Sequence, residues 1–182
     1  MKKLIIAAFA LAAIAIAPNA NAQTKMVGGA AMYPTKNIVE NAVNSKDHTT
    51  LVAAVKQAGL VETLESAGPF TVFAPTNAAF DKLPKGTVET LLKPENKATL
   101  TKILTYHVVS GKWSAAQLMA KIKAGNGTAE LKTVSGGILK AMVKGGKIYL
   151  VDEKGGKSWV TIADVNQSNG VIHVVNAVLM PN

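Results

Sequence analysis

Residues 68–80 read Gly-Pro-Phe-Thr-Val-Phe-Ala-Pro-Thr-Asn-Ala-Ala-Phe, and this stretch decides the fold. Its first half combines aromatic and β-branched side chains, which favour a strand, and Pro75 ends that strand because proline has no N–H for the strand ladder. Thr76 or Asn77 then offers a side-chain oxygen that caps a short helix, and Phe80 lies on the inner side of this helix. A strand that leads directly into a capped helix indicates a fold that mixes both kinds of element.

The segments before and after this stretch differ in their periodicity. Residues 37–67 repeat apolar side chains at helical spacing, and residues 94–105 and 114–124 do the same. Residues 106–109 are predicted to be extended. From residue 129 onward, short β-rich runs alternate with glycine pairs, which predicts antiparallel hairpins. Helices concentrated early and an antiparallel sheet concentrated late indicate an α+β domain.

The N-terminus has the composition of a secretory signal peptide. Two lysines precede an uninterrupted apolar run over residues 4–17, and Ala20-Asn21-Ala22 supplies the small residues of a cleavage site. The sequence therefore predicts a signal peptide over residues 1–22, a linker-like segment over 23–35 and one domain over 36–182. We expect a periplasmic or secreted protein with no transmembrane segment after cleavage.

Composition narrows the possible functions. The chain has 182 residues, enough for one domain with a real core, and it has no cysteine, which excludes disulfides, thiolate metal sites and cysteine nucleophiles. Every one of its 20 basic residues is lysine, so the bidentate arginine contacts of specific nucleic-acid readers are absent.

The positive charge is concentrated in the second half of the chain. Residues 23–96 hold 7 lysines and 7 acids, whereas residues 97–182 hold 11 lysines and 4 acids. Such a lysine-rich surface suits an acidic polysaccharide, an anionic membrane face or a wall polymer. No five-residue window is dominated by lysine, which favours the simpler interpretation that the charge keeps the protein soluble.

No pattern of catalytic or metal-binding residues is present in the sequence. No serine has the flanking glycines of a nucleophile elbow, and the three histidines are too far apart to form a local metal site. His48 is predicted to be a surface residue, whereas His107 and His173 lie in apolar strands that suit neutral, hydrogen-bonded histidines. We expect no cofactor, no metal and no enzymatic activity.

Three segments together resemble the fasciclin (FAS1) domain family: residues 68–80, Leu104-Thr-Tyr-His-Val-Val109, and Gly170-Val-Ile-His-Val-Val-Asn-Ala-Val-Leu179. The resemblance covers about residues 36–181. It implies a single FAS1-like domain with a β-wedge or sandwich of short, mostly antiparallel strands, flanked by short helices. It also implies a role in cell adhesion through proteins or glycans.

The resemblance gives roles to particular residues. Tyr106 and His107 match the Tyr-His motif, which in animal members is proposed to contribute to integrin binding; aromatic packing with a hydrogen-bonded imidazole in the core is the structural alternative. Asn176 stands where the family commonly has aspartate, which keeps a short hydrogen-bonding side chain and removes a charge. The positions interpreted as structural are Phe73, Pro75, Thr76, Asn77, Phe80, His173 and Asn176.

Three hypotheses for function remain open at the level of the sequence. The leading one is a non-enzymatic adhesion or surface-interaction module that binds a cell-surface or matrix protein or an acidic glycan. The alternative is a periplasmic carrier or sensor of a small apolar ligand, held in a pocket between helices and sheet. The third is a hydrolase that uses His107 or His173 as its base, for which the sequence offers no partner nucleophile.

We predict that signal peptidase cuts after Ala22, so that the exported protein begins at Gln23. The mass of the protein recovered from the periplasm or the medium measures this. Replacing Ala20 and Ala22 by leucine removes the small-residue site, and the uncleaved chain should then accumulate at the membrane. An exported wild-type protein that retains residues 1–22 would contradict the prediction.

Overall fold

The structure is a computed structural model that describes residues 23–182, and the predicted signal peptide lies outside these residues. The strands are β1 (Lys25–Val27), β2 (Ala30–Met32), β3 (Phe70–Pro75), β4 (Val108–Ser110), β5 (Thr128–Lys132), β6 (Ile138–Lys144), β7 (Lys147–Val151), β8 (Lys157–Gln167) and β9 (Gly170–Val175). The α-helices are α1 (Ile38–Ala42), α2 (Thr49–Ala58), α3 (Val61–Glu65), α4 (Asn77–Phe80), α5 (Thr87–Leu91), α6 (Lys97–Tyr106) and α7 (Ala115–Ala124), with 3-10 turns at Lys46–His48 and Pro94–Asn96.

The main sheet has the strand order β4-β3-β9-β8-β7-β6-β5. Strands β3 and β9 are parallel, and the other neighbouring pairs are antiparallel. The predicted α+β fold of short, mostly antiparallel strands with short helices is therefore confirmed.

Strand β8 bends and divides the sheet into two halves. Its first residues, from Lys157 to Trp159, pair with β7, and its later residues pair with β9. Within the part paired with β9 the register shifts twice, between Val160 and Ile162 and between Ile162 and Val165, and Asp164 adopts a φ of 56°, which is uncommon for a residue other than glycine. The bend turns the two halves of the sheet toward each other and produces a wedge.

The far ends of the sheet meet across the wedge. An isolated antiparallel bridge joins Val109 of β4 to Thr133, directly after β5. The amide of Val134 also donates to the carbonyl of Val108 at 2.8 Å. The strands at the two ends of the order therefore lie side by side instead of at opposite margins of an open sheet.

Strands β3 and β9 are buried on both faces, because one face meets the helices and the other faces the wedge interior. The side chains toward the helical layer, packed with α2 and α6, are Val72, Ala74, Ile172 and Val174. The side chains toward the wedge interior, packed with α7 and β5 to β7, include Phe73 and Val175. Burial on both sides explains the near-continuous apolar composition of these two strands.

Two glycines allow the parallel strands to begin close together. A Cβ atom at Gly68 would lie 2.2 Å from the carbonyl oxygen of Asn169, and one at Gly170 would lie 2.1 Å from that of Phe70. These contacts are with backbone atoms, which cannot rotate away. The amide of Phe70 donates to the carbonyl of Asn169 at 3.0 Å, so the close approach forms a hydrogen bond.

The linker-like interpretation of residues 23–35 is wrong, because this segment contains the β1–β2 hairpin. Gly28 and Gly29 form its two-residue turn with φ values of 58° and 75°. Val27 and Met32 are each 1% exposed and belong to the helical-layer core. The hairpin is hard to predict from the sequence, because each of its strands contributes only one fully buried side chain to the apolar pattern.

The chain is not extended at Tyr106. Tyr106 is the last residue of α6, His107 caps that helix, and β4 begins only at Val108. The amide of His107 still donates to the carbonyl of Leu104 at 3.1 Å. The helical hydrogen bonds therefore continue to His107, although the sequence predicted an extended chain from Tyr106.

Within residues 23–182, no helix has the length and apolar character that a membrane span requires.

We predict that Gly170→Ala lowers the free energy of unfolding by about 2 to 3 kcal/mol, because the added methyl group overlaps the Phe70 carbonyl. Gly146→Ala is the matched control: its Cβ meets nothing within 4 Å, and only the backbone strain of φ 74° remains, at about 1 kcal/mol. Urea unfolding measures both variants. Equal losses would show that the close approach of β3 and β9 does not limit this position.

Candidate functional site

The three segments that carry the family resemblance meet in the wedge interior. The rings of Phe73 and His173 stack with their centroids 5.6 Å apart and an angle of 25° between their planes. The amide of Phe73 donates to the carbonyl of His107 at 2.9 Å. Direct contacts therefore link one residue from each segment, Phe73, His107 and His173, although the three segments are distant in sequence.

Tyr106 lies inside the wedge and is 0% exposed. Its hydroxyl donates to the carbonyl of Ile138 at 2.8 Å and accepts from the amide of Glu153 at 3.2 Å. Burial raises the pKa of Tyr106 to about 12, which favours the neutral phenol. The side chain connects the end of α6 to the start of β6 and to the turn after β7.

His107 is 2% exposed, and both of its ring nitrogens have backbone partners. Nδ1 lies 2.9 Å from the carbonyl oxygen of Ile103, and Nε2 accepts from the amide of Leu179 at 3.0 Å. Because a carbonyl only accepts and an amide N–H only donates, the proton must be on Nδ1 and the ring must be neutral. Burial lowers the pKa of His107 to about 4, which agrees with this state.

His173, on β9, plays an equivalent part. It is 0% exposed, its Nδ1 accepts from the amide of Asp164 at 3.2 Å, and its Nε2 donates to the carbonyl of Trp113 at 2.8 Å. Burial lowers the pKa of His173 as well. The carboxylate of Asp164 in turn accepts from the amide of Ala115 at 2.7 Å, at the first residue of α7. This chain of contacts links β9, the bend of β8 and α7.

Two polar residues that follow β3 bind the first turns of two different helices, α4 and α2. Pro75 ends the strand, and the hydroxyl of Thr76 accepts from the amide of Ala79 at 3.3 Å, so Thr76 is the cap of α4. Asn77 instead reaches the start of α2, where its Oδ1 accepts from the amide of Thr50 at 3.0 Å. Phe80 is buried in the helical-layer core.

Asn176 holds the backbone of β8 through its neutral amide. Its side-chain Oδ1 accepts from the backbone N–H of Trp159 at 2.9 Å, and the backbone N–H of Asn176 donates to the carbonyl of Trp159 at 3.2 Å. Lys82 Nζ donates to the carbonyl oxygen of Asn176 at 2.7 Å. All three contacts involve the backbone, and none of them requires a negative charge on the side chain.

His48 is not the surface residue that the sequence suggested, because it is only 1% exposed. Its Nδ1 lies 2.9 Å from the hydroxyl of Ser45, and Nε2 has no hydrogen-bond partner among the described residues. Burial lowers the pKa of His48, although the carbonyl of Ala74 acts in the opposite direction. Because the neighbours of His48 in the sequence are polar, the sequence did not indicate that the 3-10 turn Lys46–His48 places this side chain against the core.

A cavity of about 70 Å³ lies between the helices and the sheet. Its walls are almost wholly apolar and include Val55, Leu64, Val72 and Ile172. It corresponds in position to the pocket proposed for a carrier.

Among residues 23–182, no group of three histidine, aspartate or glutamate side chains is placed to hold a metal ion.

Two important polar residues had no clear signal in the sequence. Asp164 lies at the bend of β8, where its backbone N–H donates to His173 and its carboxylate accepts from the amide of Ala115. The Oδ1 of Asn169 accepts from the amide of Ile38 at 3.1 Å, and its Nδ2 donates to the carbonyl of Leu64 at 2.7 Å. Both roles depend on partners far away in sequence, which local patterns do not reveal.

Sequence comparison identifies the family. The profile of the Fasciclin family, described as the fasciclin domain, matches residues 46–181. The chain is 50% identical over 159 residues to protein sll1483 of Synechocystis sp., and the match covers 87% of this chain and 81% of that protein. The chain belongs to the fasciclin domain family.

Two further similarities are to a protein named as a cell surface glycolipoprotein and to a solved FAS1 structure. It is 34% identical over 160 residues to the cell surface glycolipoprotein MPB83 of Mycobacterium bovis, covering 85% of this chain and 64% of that protein. Its fold matches a FAS1 domain pair from the insect cell adhesion molecule fasciclin I with a TM-score of 0.71 and 18% identity. That match covers 80% of this chain and 51% of the insect chain, so this protein spans about half of the domain pair.

We predict that acid weakens the fold through His107. Its pKa is about 4 in the folded protein against 6.5 when exposed, so below pH 6.5 the unfolded chain binds the proton more readily. The stabilisation is complete above about pH 6.5 and falls as the pH drops toward 4, with a total loss of about 3 kcal/mol from this group. Urea unfolding at several pH values in this range measures the loss.

His107→Gln separates this effect from other titrating groups. The variant should be less stable than the wild type at pH 7 by about 1 to 3 kcal/mol, because the two hydrogen bonds are imperfectly replaced. Between pH 6.5 and 4 it should lose less stability than the wild type, since glutamine does not titrate. Identical pH profiles for the two proteins would contradict the assignment.

Proposed function

We propose that this protein is an exported, non-enzymatic adhesion module that binds a cell-surface or matrix protein or glycan through exposed residues of its lysine-rich half. The observation that supports this best is the division between interior and surface. The motif histidines and Tyr106 are buried, whereas ten of the eleven lysines in residues 97–182 are exposed and Lys121 is half-buried. A mobile, hydrated rim of positive charge gives fast association with anionic surfaces.

The names of the similar proteins support a surface function. One relative is named as a cell surface protein, and the insect chain of the same fold is named as a cell adhesion molecule. The signal-peptide pattern of residues 1–22 provides the route to the periplasm or the exterior. The domain assigned to this function is the region predicted from the sequence, residues 36–182, together with the β1–β2 hairpin that packs onto it.

For Tyr106 and His107 we propose a positioning role. Each side chain makes two hydrogen bonds to backbone groups, and three of the four partners, Ile138, Glu153 and Leu179, lie in other segments, so direct contact with a partner would first require the wedge to open. Replacing them would therefore change adhesion through the stability of the domain. Direct recognition then belongs to surface residues.

The same hydrogen bonds support a non-enzymatic function. A general base needs a ring nitrogen that can take a proton from a substrate. In His107 and His173 both nitrogens are occupied by the backbone, and burial lowers both pKa values. A hydrolase built on either histidine would have to break part of its own core in every cycle.

The carrier alternative gains little support from the cavity. Its volume of about 70 Å³ is roughly half of the ~150 Å³ that accommodate benzene in a protein interior. The cavity suits a packing defect between the helices and the sheet better than a transport site. The adhesion function is therefore the one that we develop further.

We predict salt-sensitive adhesion. Beads coated with the protein should adhere to surfaces carrying an acidic polysaccharide such as alginate at 50 mM NaCl, and at least fivefold less at 500 mM NaCl, because added ions screen the lysine charges. Beads coated with albumin and surfaces carrying neutral dextran are the controls. Adhesion that is unchanged by salt would refute the electrostatic part of the proposal, and a complete absence of adhesion to polysaccharide, matrix protein and cells would refute the function.

A further inference from the structure

An aromatic row crosses the outer face of strands β6, β7 and β8. The strand register places Met142 opposite Tyr149, and Tyr149 opposite Trp159. The rings of Tyr149 and Trp159 have centroids 4.9 Å apart and an angle of 36° between their planes, and the Tyr149 hydroxyl contacts the sulfur of Met142 at 3.4 Å. We call these three side chains the aromatic ledge.

Lysines flank the aromatic ledge on both sides. In one neighbouring row Lys140 and Lys157 stand on either side of Val151, and in the other Lys144 is opposite Lys147. Each row lies about 7 Å from the ledge, because residues on one face of a strand are two positions apart. Two acids adjoin this region: Glu130 lies opposite Lys140, and Glu153 accepts from the amide of Ile138, two residues before Lys140.

The outer face remains accessible because helix α7 packs on the other side of the sheet. Leu118 and Ile122 of α7 belong to the wedge core, together with Leu139 and Leu150 of the strands. The three ledge residues are half-buried by one another, and the four flanking lysines are exposed. The face thus combines a rigid aromatic centre with mobile positive charges.

A hollow adjoins the ledge where β8 turns away from β7. Its volume is about 470 Å³, and its walls include Lys147, Trp159, Thr161 and Asn176 together with Met119 of α7 and the core residue Ile148. The hollow therefore extends from the ledge toward the α7 side of the sheet. Tyr149 and Trp159 form the last paired position between the two strands before the bend. Hydroxyl, amide and ammonium groups therefore stand next to an aromatic ring at the edge of an open depression.

We propose that the aromatic ledge, its flanking lysines and the adjoining hollow form a binding site for an anionic oligosaccharide. This inference rests on the proposed adhesion function and names its ligand class and its site. Sugar rings have C–H faces that pack on the electron-rich face of an aromatic ring. Carboxylate or sulfate groups on the same chain would reach the lysines on either side, and the hollow would receive a sugar ring whose hydroxyls meet Thr161 and Asn176.

The chemistry of the site favours a sugar chain over other polyanions. The inclined rings of Tyr149 and Trp159 pack together, so they present one continuous surface and leave no open slot between them for a nucleic-acid base. Lysine provides a point charge without the bidentate geometry that arginine gives to phosphate. A membrane surface would need apolar side chains that project beyond the lysines, whereas the ledge is half-buried between them.

The first test compares ligands on the wild-type protein. Calorimetric titration with oligogalacturonate and with heparin oligosaccharide distinguishes carboxylate from sulfate as the anionic group, and maltohexaose is the neutral comparison. At low salt we expect at least one acidic oligosaccharide to bind tenfold more tightly than maltohexaose. Equal binding of neutral and acidic sugars, or tighter binding of oligo-dT or phosphatidylglycerol vesicles than of both acidic sugars, would overturn the proposal.

The second test locates the site. Lys140→Gln/Lys157→Gln should weaken binding of the acidic oligosaccharide about tenfold, whereas the matched pair Lys85→Gln/Lys93→Gln, which removes the same charge from exposed positions in the first half, should change it less than twofold. Equal effects of the two pairs would mean that binding depends on net charge alone, and the proposal would fail.

The aromatic contribution is tested with Trp159→Leu, which should weaken binding of the same oligosaccharide about tenfold. Trp113→Phe is the control. Because the chain has two tryptophans, this variant also leaves Trp159 as the sole tryptophan, whose emission, excited at about 295 nm to avoid tyrosine, should shift on binding. If Trp159→Leu does not fold, judged by its thermal transition, Tyr149→Leu replaces it. Unchanged affinity in a folded ledge variant refutes the site.

The bead assay separates the two levels of the proposal. If wild-type beads adhere and beads with folded ledge variants adhere equally well, the site is wrong and the adhesion function remains. If wild-type beads do not adhere to any of the surfaces, the adhesion function itself is wrong.

Discussion

The parallel pairing of β3 with β9 is the contact on which the other layers of the protein depend. The two strands come from opposite ends of the domain, and they begin within van der Waals range because Gly68 and Gly170 have no side chains. One face of the pair carries the helical layer and the other carries the wedge interior. Any change that separates these strands therefore disturbs both cores at once, and the family motifs lie at this junction for that reason.

Two neutral histidines provide hydrogen-bond partners for backbone groups that the wedge would otherwise leave unpaired. Where α6 ends, where β8 bends and where the C-terminal segment folds back, backbone N–H and C=O groups are left without partners in a helix or sheet. His107 and His173 each supply one donor and one acceptor to such groups. A neutral imidazole is well suited to this because it offers both functions on opposite sides of one rigid, flat ring.

Local features of the sequence predicted local structure, and long-range contacts were harder to foresee. The strand at residues 70–75, a helix cap at Thr76 or Asn77 and the α+β class followed from side-chain types and spacing, and the structure gives the cap to Thr76. The burial of His48 and the β1–β2 hairpin did not, since each depends on a surface formed by other segments. The aromatic ledge left a readable trace, the alternation Lys-x-Met, Lys-x-Tyr and Lys-x-Trp in successive strands, but the alignment of the three rows depends on register.

The bridge between Val109 and Thr133 also bears on how copies of the protein behave toward one another. Strands at the margin of an open sheet offer unpaired backbone groups to which a second copy can add, and repeated addition leads to aggregation. Here the strands at the two ends of the order shield each other across the wedge. Closing the sheet on itself leaves the lysine-covered outer face, and not the strand margins, as the surface that other molecules meet.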